Sequence, residues 1–307
     1  MGAIPRKSAK TKNKPKGHIM SRELSSVAVT QFDTEVKHAY QSMGVLGGTT
    51  TERRGVVGNE YKFRKMGKGV AKQRTAPSAD AVPMNVDHSL ILCSLTDWDA
   101  PEYTDIFNAK DVNFDEVKEL GMTIAGALGR RDDQVKIDAM EAGTFAASPA
   151  ATEGYLVVTS IGGADTNLNV TKLRNIKKYM DDEDVPSTGR HINVSASGLE
   201  GLLGETQVTS TDYNSVKALV SGEVDTFLGF KFHMIGTRTE GGMAKAAAVR
   251  DGYAWHESAI GYANGIDITT KVDWSTDKDS WKSTGYLKAG AVIRDIRGIV
   301  KYQATEA

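Results

Sequence analysis

The sequence predicts a mixed α+β fold, and three features point there. Residues 114–141 keep a helical repeat for about seven turns. Residues 60–66 and 88–95 read as strands joined by a long link that contains Gly and Pro. The second half alternates short amphipathic helices with apolar strand segments, and no internal repeat is present.

Taken in order, residues 1–20 hold Lys, Gly and Pro with almost nothing apolar, so they are expected to stay unordered. Val29, Phe32, Val36 and Tyr40 fall at helical spacings within 27–40, and Gly44, Gly47 and Gly48 stop that pattern. In 60–66, Tyr61 and Phe63 alternate with Lys62 and Arg64, as in a half-exposed strand. Segment 88–95 is more apolar and is expected to be covered on both faces. The link 67–86, with Gly67, Gly69, Pro77 and Pro83, is too long for a tight hairpin. The pair therefore predicts a two-stranded arm that projects from the body. An isolated ribbon is marginal in water, so the arm needs something to lie against.

Val117, Leu120, Ile124, Leu128, Val135 and Ala139 mark one face of the long helix. Asn113 is the expected N-cap, Asp115 and Glu116 suit the positive first turn, and Gly143 is the stop. Gly121, Gly126 and Gly129 lower helix propensity and imply that another backbone comes close. Farther on, 171–180 reads as a short helix (Leu173, Ile176, Met180) that ends at 181–184 and Pro186. Residues 191–194 read as a buried strand. Ser197 is the expected cap of a turn through Leu203, and Asp212 of a helix over 213–220 that stops at Gly222. Strands are expected at 227–235, 245–249 and 289–300.

A chain of 307 residues is long enough for one large domain or two medium ones. No apolar run reaches the roughly 20 residues of a membrane span, and the basic N-terminus lacks the apolar core of a secretory signal. The single cysteine, Cys93, forms no internal disulfide, in keeping with a reducing compartment. The formal net charge of −1 hides alternating blocks. Arg6, Lys7, Lys10, Lys12, Lys14 and Lys16 face no acid in the first 16 residues. Arg53, Arg54, Lys62, Arg64, Lys65, Lys68, Lys72 and Arg74 face only Glu60, a net +7. Asp97, Asp99, Glu102, Asp105, Asp111, Asp115, Glu116 and Glu119 face Lys110 and Lys118, a net −6. Such blocks suit partner recognition, and equally a solvated face.

The residues that chemistry needs do not converge. His256-Glu257 begins like a zinc-protease helix, but no second His follows four residues on. Ser195 and Ser197 lack the G-x-S-x-G spacing, and Gly67-Lys68-Gly69 is not a phosphate loop. Asp181, Asp182, Glu183 and Asp184 read as a solvated helix end before a cation site. Asn169-Val170-Thr171 and Asn193-Val194-Ser195 match a glycosylation pattern that has no role without secretion. Met43, Met66, Met84 and Met122 are read as core or contact residues. No catalytic, cofactor-binding or metal set is assigned, and the chain is read as no enzyme.

The order of features nevertheless resembles a known family. Tyr61–Gly69 (YKFRKMGKG), Pro77–Val86 (PSADAVPMNV), Trp98–Phe107 (WDAPEYTDIF) and Val112–Glu116 (VNFDE) are similar to the arm and helix lead-in of major capsid proteins of short-tailed bacteriophages. Ile124–Asp133 (IAGALGRRDD) resembles the start of their spine helix, and 189–204, 222–236 and 290–302 resemble central-domain and closing strands. The resemblance implies an HK-97-like fold. It divides the chain into an N-terminal arm (1–53), an E-loop (54–96), a peripheral domain with the spine helix (97–165), an axial domain (166–240) and return strands of the peripheral domain (241–307). It implies a structural protein of the virion that self-assembles as pentamers and hexamers into an icosahedral head, in the host cytoplasm. A separate scaffolding protein, a portal and packaged double-stranded DNA are the implied partners, with no membrane.

In that family the E-loop lies across the neighbouring subunit. The eight bases from Arg53 to Arg74 are therefore expected to dock on the eight acids from Asp97 to Glu119 of the next copy. Two other readings stay open: an encapsulin-like cellular shell protein, and a nucleic-acid-binding protein that uses the basic blocks.

Overall fold

The computed structural model describes residues 40–77, 80–107, 115–146, 155–157, 166–204 and 226–306. The expected helices at 27–40 and 213–220 and the basic N-terminus lie outside them, apart from Tyr40. The elements in order are β1 (Thr51–Arg53), β2 (Glu60–Met66), β3 (His88–Ser94), β4 (Thr96–Asp105), α1 (Glu116–Glu141), β5 (Tyr155–Val157), α2 (Val170–Asp182) and β6 (Arg190–Val194). There follow α3 (Ala196–Leu203), β7 (Thr226–Phe227), β8 (Phe230–Met234), β9 (Lys245–Ala246), β10 (Val249–His256), β11 (Ile260–Ser275), β12 (Ser280–Ile293) and β13 (Ile299–Thr305). They form a four-stranded sheet (β1-β11-β12-β4), a seven-stranded sheet (β5-β13-β10-β6-β8-β7, with β9 on β10) and the separate ribbon β2-β3.

Helix α1 bridges the two larger sheets. Ile124 and Leu128 pack on Tyr262, Leu287 and Ala289 of the four-stranded sheet. Ile137 and Met140 enter a second core with Tyr253, Trp255 and Ile299. Its N-cap is Asp115, which accepts from the Lys118 amide at 3.3 Å, in place of the expected Asn113; the helix then starts at Glu116. A carboxylate there also meets the positive end of the dipole. The close approach signalled by the helix glycines is made by residues 41–44. A Cβ at Gly129 would stand 2.0 Å from the Met43 carbonyl oxygen, whereas one at Gly121 would meet nothing within 4 Å.

A buried carboxylate secures that approach. Asp133 accepts from the amides of Val45 (2.8 Å) and Leu46 (2.9 Å) and pairs with Arg238 at 2.9 Å. Beside it, Lys136 reaches the Leu46 carbonyl (3.1 Å) and Asp132 (2.7 Å). Burial pushes the Asp133 carboxyl above its ordinary range, against those donors and the charges of Lys136 and Arg238.

The seven-stranded sheet is covered on one side by α2 and α3, whose Leu173, Ile176, Met180 and Leu202 pack on Ile192, Val194, Phe230 and Val300. Asn169 caps α2, and Ser195, two residues before the expected Ser197, caps α3 by accepting from Gly198. The Ser195 hydroxyl also bonds Glu306, which pairs with Arg250 at 2.7 Å. Burial works against that carboxylate, yet the bonds from Ser195 and Arg250 hold its pKa below the usual value. Its stabilisation is therefore present at neutral pH and lost as acid protonates it.

Three expected strands are built differently. Segment 227–235 breaks at Leu228 and Gly229, both at positive φ (53° and 89°), into β7 and β8. Segment 245–249 is the tight turn of a hairpin, with Ala247 at φ 54° between β9 and β10. Segment 289–300 ends β12, turns at Ile296–Gly298 and begins β13. Residues 241–307 consequently do not all return to one layer: β10 and β13 join β6, while β11 and β12 join β4. The long pair β11–β12 went unread although its outer half alternates, with Ile266, Ile268, Val272 and Trp274 against Asp267, Thr269, Lys271 and Asp273; its inner half is buried throughout and shows no such period.

Replacing Gly129 by Ala forces a methyl into the Met43 carbonyl and is expected to cost about 3 kcal/mol, the upper end for overpacking. Gly121→Ala, in open space, is expected to gain roughly 0.5–1 kcal/mol from helix propensity. Chemical denaturation of the two variants checks both signs.

Candidate inter-subunit surfaces

The ribbon β2–β3 pairs antiparallel from Glu60↔Ser94 to Met66↔His88. Alternation puts Tyr61, Phe63, Ile91 and Cys93 on one face, and that face packs on the subunit's own body. Phe63, Cys93 and Leu95 are buried with Ala263. Glycines make the space: a Cβ at Gly261 would lie 2.7 Å from the Phe63 ring, and one at Gly290 would lie 2.1 Å from the Ser94 carbonyl oxygen. Burial pushes the Cys93 thiol up to about 11, so it stays protonated there. The root of the arm thus lies against its own chain on one face.

The other face is bare. Lys62 stands across from Leu92, Arg64 from Leu90, and Met66 from His88. Leu90 is 64% and Leu92 46% exposed, so β3 is covered on one face only. The four methionines read as core or contact residues are all exposed, which removes them from the core. Val70, Val82 and Met84 add exposed apolar surface beyond the strands.

The basic block is spread along this arm. Arg54 pairs with Glu52 (2.8 Å) and reaches Asp267 (4.0 Å), Lys65 pairs with Asp295 (3.5 Å), and Lys68 stands 3.9 Å from Asp184. Lys72 donates to the Pro83 carbonyl, and Arg53 to that of Glu52. Lys62, Arg64 and Arg74 are exposed. Among the described residues no ion pair joins the basic block to the acidic one.

The acidic block is divided between two faces. Four of its members lie on β4, an edge strand. Trp98 and Ala100 point toward α1, so Glu102 and Thr104 share that side, with Asp115, Glu116 and Glu119 at the helix start. Asp97, Asp99 and Asp105 take the opposite, open side with Tyr103. There Lys288 pairs with Asp97 at 3.2 Å and Lys278 stands 3.7 Å over the Tyr103 ring. Asp111 lies outside the described residues.

Two contacts went unread in the sequence. Trp274 and Trp281 meet edge to face at 5.1 Å near the end of the β11–β12 pair, both partly exposed. Lys288 also donates to Asn59 at 2.6 Å, tying the root of the arm to β12. The residues tested for chemistry serve structure: His256 bonds Ser258 and the Thr188 carbonyl, and Asp181 pairs with Arg190 at 2.7 Å. Among the described residues no three His, Cys, Asp or Glu side chains gather as a metal set, and no helix is long and apolar enough to cross a membrane.

Comparison with known proteins follows that geometry. A family model described as phage capsid protein matches residues 24–306. No curated protein matches. Among solved structures, the capsid of cyanophage P-SCSP1u is similar with a TM-score of 0.70 at 13% identity, over 92% of this chain and 95% of that one. The head of Helicobacter pylori bacteriophage KHP40 gives 0.69 at 10% identity, over 94% and 98%. The capsid of Ralstonia phage GP4 gives 0.66 at 10% identity, over 98% and 99%. At such identities the likeness shows the fold, which is the HK-97-like fold that the sequence resemblance implied.

Truncation of Phe63 to Ala empties the root of the arm and is expected to cost about 3–5 kcal/mol. Limited trypsin digestion is expected to cut sooner at Lys62 and Arg64 in that variant than in the parent chain.

Proposed function

The chain belongs to the phage capsid protein family and is a structural major capsid protein of the head shell, and we propose that its arm is the part that selects and registers the next subunit. The observation that carries this reading is the ribbon's bare face, where Lys62 and Arg64 alternate with Leu92 and Leu90. Among the described residues no ion pair joins Lys62 or Arg64 to an acid between Asp97 and Glu119. Covering what is still exposed of the two leucines is worth roughly 1–2 kcal/mol each, whereas an exposed ion pair gives about 0–1. The leucines therefore supply affinity, and the charges set register and reject wrong partners. A closed shell repeats the contact over many copies, arranged as pentamers and hexamers.

The same reading gives the remaining partners. The basic segment Lys7–Lys16 faces packaged double-stranded DNA or an acidic scaffolding protein, and a portal occupies one vertex. Assembly takes place in the host cytoplasm.

The double variant Lys62→Glu, Arg64→Glu is expected to fold with stability within about 0.5 kcal/mol of the parent and to form no normal particles by negative-stain microscopy. Adding Asp99→Lys and Asp105→Lys, or instead Glu102→Lys and Glu119→Lys, is expected to restore particles for one pair only and so identify the docking face. Normal shells from the first variant would end the proposal. Removal of residues 1–16 is expected to leave shells intact and reduce retained genome; unchanged genome content would assign that segment to the scaffold.

A further inference from the structure

His191 on β6 and His233 on β8 face each other inside the seven-stranded sheet, with Nδ1 of the first 3.0 Å from Nε2 of the second. Both are 8% exposed. The two rings lie alongside the Trp255 indole of β10, at 5.9 and 6.2 Å and within 29° and 25° of parallel. One facing nitrogen must donate and the other accept, so this contact has room for one proton. A second proton would oppose two N–H groups and two positive charges at hydrogen-bond distance.

We propose that this histidine pair is a proton-operated lock on the sheet: protonation of both rings drives them apart and loosens the junction of β6, β8 and β10. The surroundings of the pair decide the sign. Burial, with the charges of Lys231 and His256, pushes the His191 pKa below its ordinary value, against the pull of Glu257 at the end of β10. Arg190, the other ionisable group on β6, turns to the opposite face, where it bonds the Val185 and Pro186 carbonyls and Asp181. Glu141 and Asp251 act on Tyr253, farther along β10. The neutral pair thus stabilises the fold above the ordinary histidine value of about 6.5, and that stabilisation is lost as the pH falls below it and through the lowered folded value.

The lock has a route outward. The Trp255 indole donates to the Thr49 carbonyl at 2.9 Å, so it also anchors the segment that leads to the N-terminus. Displacing the rings stacked on it bears directly on that anchor.

The test is made on the soluble full-length subunit, and its outcome is independent of whether shells form. Between about pH 7.5 and 5.5, above the carboxylate range, the parent chain is expected to lose about 3 °C or more of melting temperature. His191→Gln and His233→Gln, made separately, are each expected to lose less than half as much. Indole fluorescence of the parent chain is expected to titrate with a midpoint below about 6.5, and that transition is expected to vanish in either variant. An equal loss in parent and variants, or a flat fluorescence titration in the parent, would overturn the lock.

Discussion

One buried carboxylate holds three distant stretches of this subunit together. Asp133 on α1 receives the amides of Val45 and Leu46 and the guanidinium of Arg238, so the entry segment, the helix and the loop after β8 meet at one side chain. A carboxylate in that position is tolerated only when donors surround it, and removing one partner leaves a charge out of water. The approach is close enough that only glycine fits at position 129. With that clasp in place, α1 lies against both sheets, and the positions of β11, β12 and the arm on them follow.

The two faces of the arm are unequally covered. Phe63 and Cys93 fasten one face of the ribbon to β11 and β12. The other face keeps two leucines in water beside two cations. Covering the exposed parts of the two leucines would give roughly 2–4 kcal/mol in all, more than any one surface ion pair. Exposed apolar surface rimmed by charge is the usual mark of a protein–protein contact.

The acidic block shows the limit of reading charge along a chain. In sequence it is one run of eight acids, and in space the edge strand β4 turns its members alternately to opposite sides. A partner can reach Asp99 and Asp105 together, or Glu102 with the start of α1, but not all of them from one direction. The sign of the charge is legible along the chain, and the fold divides it between two surfaces.

Local patterning determined much of this protein. The bounds of β2, the helical stretch of α1 and the apolar face of α2 were legible because each rests on a period that neighbouring residues alone set. So were the close approach at Gly129 and the long link in the arm. The tertiary structure alone decided which half of the ribbon is covered and that residues 241–307 divide between two sheets. It also decided that His191 and His233, forty-two positions apart, share one hydrogen bond. The physical reason is common to all three. Periodicity records whether a residue is buried, whereas only the folded chain determines what it is buried against.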